Sequence, residues 1–184
     1  MASDTVKSGR TPDQRLATRF PPLAHAVAAS VLRLPPGSRV RRALVVRTAR
    51  TGFEAWVRGD YDVLRAAADP KVEVHLEVSS GTGGFEVPVG FDEIYHGPNG
   101  YCESMELWSQ SFRNWRAEVD EVIEEAPDRI LIIARHSGEG IASGVELEQW
   151  GVVRYKVRHG RIVRVDGFFG PDREGVVEAI GVLD

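Results

Sequence analysis

The stretch VELEQWGVVRYKVRHGRIVRVDGFF, Val145 to Phe169, decides the fold. Its first half puts Val145, Leu147, Gln149, Gly151, Val153, Tyr155 and Val157 on one side of an extended chain. Glu146, Glu148, Trp150, Val152, Arg154 and Lys156 fall on the other. A side-chain period of two sustained this long is a β-strand. His159-Gly160 reads as a turn, and RIVRVDGFF as the strand that returns.

Upstream, RILIIARHS (129–137) reads as a central strand, GEGIASG as its hairpin loop and RAEVDEVIEEA (116–126) as an acidic strand. Together these segments form a four-strand antiparallel meander. Asp172 to Ile180 follows it as a short helix. Before the meander, Pro98 sits at the first turn of a helix. That helix carries Tyr101, Met105, Trp108 and Phe112 on one stripe at i, i+4, i+7 and i+11. FDEIYHGPNG supplies a short strand ahead of it. Ser79 to Gly90 is a glycine-rich connection, whose GTGG lacks the βαβ setting of a phosphate loop.

DPKVEVHLEV (69–78) alternates Val72, Val74, Leu76 and Val78 with Lys71, Glu73, His75 and Glu77. Helices are predicted for Leu23–Leu34, which Pro35-Pro36-Gly37 stops, for the segment from the N-cap Ser38 to Arg58, and for Tyr61–Ala68. Helices first and an antiparallel meander last make an α+β layout, with helices on one face of a curved sheet.

The chain has 184 residues, 42% hydrophobic and 27% charged, with net charge −4. That suffices for one domain with a substantial core. The single cysteine, Cys102, excludes an internal disulfide framework and suits a reducing, cytoplasmic setting. No apolar run approaches a membrane span. LAHAVAASVLRL is broken by His25 and crowded by Arg33, so a secretory leader is not expected. Residues 1–50 hold nine Arg and one Lys against two Asp, about +8, leaving −12 for the remainder. Such an arm could seek nucleic acid or anionic lipid; the simpler expectation is that it lies on its own acidic body, binding neither nucleic acid nor membrane.

Chemical motifs are sparse. His75, His96, His136 and Cys102 have no zinc-ligand spacing, so no metal is expected. GIASG lacks the spacing of a nucleophile elbow. Cys102 near a helix start reads as a small buried hydrophobe, and Asp166 beside Arg164 as an outer-face charge pair. His136, ending the apolar face Ile130, Ile132, Ala134, reads first as a hydrogen-bonded core residue.

The succession RGDYDVLRAAADPKVEVH, YHGPNGYCESMELW and ASGVELEQWGVVRYKVRHGRIVRVDGFF resembles the SnoaL-like branch of the nuclear transport factor 2-like superfamily, which includes ketosteroid isomerase. The resemblance runs from about Ser38 to the end. It divides the chain into a basic arm with a short helix (1–37) and a SnoaL-like domain (38–184). The preponderance of Arg over Lys fits a bacterial source.

The resemblance implies a cone: a curved mixed or antiparallel sheet wrapped over N-terminal helices, with a pocket between them. It sets His75 at the place of the isomerase's general base, with Glu73 one pleat away. No side-chain donor stands at Gly52, Val152 or Val153, where that enzyme's oxyanion hole would map. Trp56, Tyr101, Trp108, Phe112, His136, Gln149 and Tyr155 become candidates for the pocket wall. The implied function is binding of a small hydrophobic molecule, with cofactor-independent isomerisation, cyclisation or hydration of a polyketide- or steroid-like substrate at His75. The alternative is a non-catalytic binding or dimerisation domain. A homodimer is expected through the sheet's outer face, where Trp150 and Val152 stand among charges.

Overall fold

The computed structural model describes residues 9–78, 94–141 and 143–182. Among them are helices α1 (Pro12–Arg19), α2 (Pro21–Leu32), α3 (Arg39–Val57), α4 (Tyr61–Ala67), α5 (Gly97–Gln110) and α6 (Arg173–Val182). The strands are β1 (Ala68–Val78), β2 (Tyr95–His96), β3 (Phe112–Ala126), β4 (Arg129–Gly140), β5 (Glu146–Arg158) and β6 (Arg161–Gly170). One curved, unclosed sheet orders them β2-β1-β6-β5-β4-β3. The meander β3–β6 is antiparallel, and β1 joins it through a parallel pairing with β6. Register shifts along β3, as between Val119 and Glu121, bend the long strands.

The elements differ from the sequence reading in several places, among them the end of β4, which runs to Gly140 through residues expected in the hairpin loop. An unforeseen helix, α1, precedes the arm's expected one. It has a full capping box: the Thr11 side chain accepts from Gln14 N, and the Gln14 side chain accepts from Thr11 N. Next, α2 starts two residues earlier than expected, because Pro21 and Pro22 fit a helix's first turn. Finally, β3 begins at Phe112, so this residue closes the α5 stripe from a strand. The expected connection at Ser79–Gly90 lies outside the described residues.

Cross-strand register separates the two faces of the sheet. Val74, Val165, Tyr155 and Ile130 form one inward row, facing the helices. His75, Asp166, Arg154 and Leu131 form the neighbouring outward row. The inner face and α3–α5 enclose the main core, from Phe53, Trp56 and Leu64 to Val72, Trp108, Ile132 and Phe169. On the outer face, α6 lays Val176 and Ile180 over Leu131, Ile133 and Val152. The expected exposed patch of Trp150 and Val152 is therefore covered. Val152 has no exposed surface, and Trp150 packs at the edge of that cluster. The chain's own last helix supplies the apolar partner that these residues require.

The arm is tied down by polar contacts at both ends. Arg10 makes a bidentate pair with Asp60 (2.5 and 2.6 Å), and Gln14 Nε2 donates to Thr51 O at 2.6 Å. His25 Nε2 donates to Ala66 O at 2.7 Å and its Nδ1 accepts from Arg161. The buried Arg41 pairs with Glu124 and donates to Leu32 O, Leu34 O and Pro127 O, joining the end of α2 to the β3–β4 turn. A charge-assisted network of this kind satisfies a guanidinium that burial would otherwise penalise heavily.

Candidate functional site

A cavity of about 390 Å³ lies between the arm, α3 and the near end of the sheet. Small residues create it: Ala17 on α1, Ala24 and Ala28 on α2, and Ala49 and Gly52 on α3 all line it. A Cβ added at Gly52 would meet nothing within 4 Å. Val31, Phe53, Trp56, Met105 and Ile132 make most of the remaining wall apolar. Charge is confined to the rim, where Asp13 and Arg47 pair at 2.8 Å. This is the composition expected of a site for an apolar molecule.

Two phenols sit in that wall, besides the hydroxyls of Thr48 and Thr51. Tyr101 projects from α5 and Tyr155 from the inner face of β5. Burial pushes both phenols up; the hydrogen bond between them raises Tyr101 further and lowers Tyr155. Both rings hold their protons through the neutral range. They are hydrogen-bonding groups and not bases.

Beyond Trp56 and Phe53 the interior closes. His136 is 1% exposed and lies among Phe53, Trp56, Trp108, Trp115 and Phe169, with ring centres 5.5 to 6.1 Å away. Neither ring nitrogen has a hydrogen-bond partner among the described residues, nor has Nε2 of Gln149, its cross-strand neighbour. The expected hydrogen-bonded core histidine is thus buried but unpartnered. Burial lowers its pKa from 6.5 to about 3, so the imidazole is neutral. Packing is tight here: a Cβ at Gly151 would stand 2.8 Å from both His136 Nε2 and the Phe169 ring.

The seven expected wall residues therefore divide. Trp56, Tyr101 and Tyr155 line the cavity; Trp108, Phe112, His136 and Gln149 belong to the closed end. Trp56 connects the two, its Nε1 donating to Met105 O at 2.9 Å.

His75 and Glu73 require correction. The aliphatic face of β1, Val72, Val74 and Leu76, enters the core, so both polar side chains stand on the outer face. There His75 Nε2 lies 3.7 Å from Glu73 Oε2, opposite Asp166, which pairs with Arg164 at 2.8 Å. The pair is real, but the sheet separates it from the cavity. The cavity lining that the sequence reading missed, Ala17, Ala24, Ala28, Ala49 and Gly52, carries no chemistry to draw attention. Its one signal was the density of small residues in AHAVAAS.

Cys102 is buried, donates to Tyr61 O at 3.4 Å, and has its thiol pushed up by burial. Among the described residues, no three His, Cys, Asp or Glu are grouped to hold a metal, and no helix is long and apolar enough to cross a membrane.

Residues 49–165, more than half of the chain, match the SnoaL-like domain. The protein belongs to the SnoaL-like family. The matched region begins within α3, so α1 and α2 of this SnoaL-like protein lie outside it. No curated protein matches the chain with significance. Among solved structures it is similar to a nuclear transport factor 2-like protein of unknown function from Burkholderia pseudomallei. That pair has TM-score 0.55 and 22% identity, covering 74% of this chain and 94% of the other. It is also similar to TerC co-crystallised with polyporic acid (TM-score 0.53, 18% identity, 74% and 97% covered). A third, from Catenulispora acidiphila, has a ketosteroid isomerase-like fold and was solved with trimethylamine (TM-score 0.50, 10% identity, 63% and 79% covered). At these identities the likeness establishes the fold, and function has to be argued from the site.

Proposed function

We propose that this SnoaL-like protein binds a small, uncharged, largely apolar molecule in the cavity between the arm and the sheet. The observation that carries this reading is an apolar chamber of about 390 Å³ with the Tyr101–Tyr155 hydroxyl pair in its wall. A charged guest would lose its hydration without a counter-charge inside, because Asp13 and Arg47 already neutralise each other at the rim. A guest carrying a carbonyl or ether oxygen gains a hydrogen bond from the phenols. Binding is favoured over proton transfer, because the His75–Glu73 pair faces away and the phenols keep their protons. A cofactor-independent isomerase or cyclase would need its base elsewhere.

The test is saturable, one-site binding of a neutral apolar dye such as Nile red, with native mass spectrometry for a co-purified small molecule. Ala28→Trp, which fills the chamber, should abolish dye binding while the circular dichroism spectrum stays unchanged. Tyr155→Phe should lower affinity for a carbonyl-bearing ligand about tenfold. A folded Ala28→Trp protein that binds the dye as tightly as the parent would refute the reading.

A further inference from the structure

The solvent side of α2 is unlike that of an ordinary surface helix. Its exposed positions are Pro22, Leu23, Ala26, Val27 and Ser30, with Arg33 at its end. These recur at helical spacing and form one continuous face. No acid and only one neutral polar side chain interrupt it. The opposite side, through His25, is bound to the body. Phe20 extends this apolar face at one end, and on α3 Val40 and Leu44 are exposed in the same way. Leu23 and Val40 are the clearest cases, at 54% and 61% exposure. Exposed aliphatic residues concentrated in one segment mark an interaction surface.

Charge indicates the partner. Residues 9–50 contain nine arginines and one acid, Asp13. Arg10, Arg41 and Arg47 are used in ion pairs within the molecule. Arg15, Arg19, Arg33, Arg39, Arg42 and Arg50 are exposed and have no ion-pair partner among the described residues. Exposed apolar side chains and unpaired cations gathered in the same three helices suit a surface that is apolar below and anionic above. We infer that the α2–α3 face docks on an anionic lipid bilayer, inserting Phe20, Leu23 and Val40 while the arginines meet the headgroups. The expectation of no membrane partner rested on the acidic body taking up the arm's charge; three of its arginines are paired, and the six exposed ones are not. A second copy of the chain fits poorly, because two such faces would bring six unpaired cations each into contact. Nucleic acid fits poorly as well, because the exposed side chains between the arginines are mainly aliphatic and offer no stacking platform.

The location of the cavity mouth gives this surface a use. Val27 and Leu44 both line the cavity and both reach solvent, so the chamber opens between α2 and α3 on the docking face. Docking therefore brings the mouth against the bilayer, where an apolar guest passes between lipid and cavity without crossing water. This use rests on the binding reading above; the docking itself does not.

The experiment is flotation of the full chain with vesicles of phosphatidylcholine alone and of phosphatidylcholine with roughly one-third phosphatidylglycerol. The anionic vesicles should carry the protein and the neutral ones should not. Raising salt from about 0.05 to about 0.5 M should lower partitioning about tenfold or more. Leu23→Asn with Val40→Asn, both outside the cavity lining, should lower it by about tenfold at low salt with the Nile red affinity unchanged. Failure to float with anionic vesicles at low salt overturns the inference. So does flotation that the double substitution leaves intact, or arm-dependent retention on duplex DNA or self-association in place of vesicle binding. Because no cavity ligand enters the flotation assay, its failure is distinguishable from failure of the dye titration.

Discussion

The two ends of the interior are built by opposite choices of side chain. At the arm end, alanines and Gly52 face one another and leave a chamber. At the far end, Trp108 stacks on Phe169 at 4.1 Å, and Trp56, Trp115 and Phe53 complete a box around His136. Gly52 and Gly151 show the same contrast at single positions: a Cβ has open space at the first and clashes at the second. Large aromatic residues are easily taken for a binding site because they are conspicuous. Here most of them consume volume, and the inconspicuous residues define the site.

The largest expected effect tests that contrast directly. Trp108→Ala at the closed end should cost about 3–5 kcal/mol, since it removes a fully buried ring from close packing. Val31→Ala in the chamber wall should cost under about 1 kcal/mol, because one side of that residue already faces space. Urea titration of both variants decides the matter; equal losses would mean that the two ends are packed alike.

An intermediate effect concerns pH. The groups around His136 are aromatic rings and Gln149, none of which titrates in the acid range. Its folded-state pKa, about 3, lies below its ordinary 6.5. Between those values the unfolded chain binds a proton that the folded chain refuses. Stability contributed by the neutral imidazole is therefore complete above about pH 6.5 and falls with acidification, by up to ~1.4 kcal/mol per pH unit. His136→Leu should flatten the pH dependence of unfolding free energy between pH 5 and 6.5 by close to one proton. An unchanged slope would show that the imidazole gains a partner and is charged in the folded state.

The smallest effect belongs to the chamber. Gly52→Ala places a methyl group in open space on a helix interior and should raise stability by about 0.5–1 kcal/mol. Dye affinity should change less than threefold, roughly, since one methyl removes little of the volume. A destabilised variant would mean that the chamber wall at Gly52 is closer than it stands here.

What could be read from sequence follows the same division. The alternation in β5 and the His159-Gly160 turn specified the hairpin, and the stripe Tyr101, Met105, Trp108 was core as its spacing required. The side of β1 was lost for a definable reason. Alternation shows that a strand has two faces, and the aliphatic one belongs inside. The resemblance to an isomerase suggested instead that the polar face of His75 lined the pocket. Helix α1 was legible in principle, since Thr11-Pro12-Asp13-Gln14 has the side chains of a capping box. The chamber showed only as the density of small residues in AHAVAAS, because a space is produced by residues too small to fill it and leaves no periodic mark.

The parallel pairing of β1 with β6 has a consequence for the order of synthesis. β1 finds its main partner strand only after residues 161–170 have been made, about ninety positions later. A nascent chain thus carries α1–α4 and β1 out of the ribosome with no sheet to receive them, while the meander β3–β6 assembles from neighbours in sequence. Joining the two halves is the long-range step, with the loop-closure cost that slows such topologies. Until then Val72, Val74, Leu76 and the apolar face of α3 remain exposed together, and a chain stalled before residue 161 is the species most prone to aggregate.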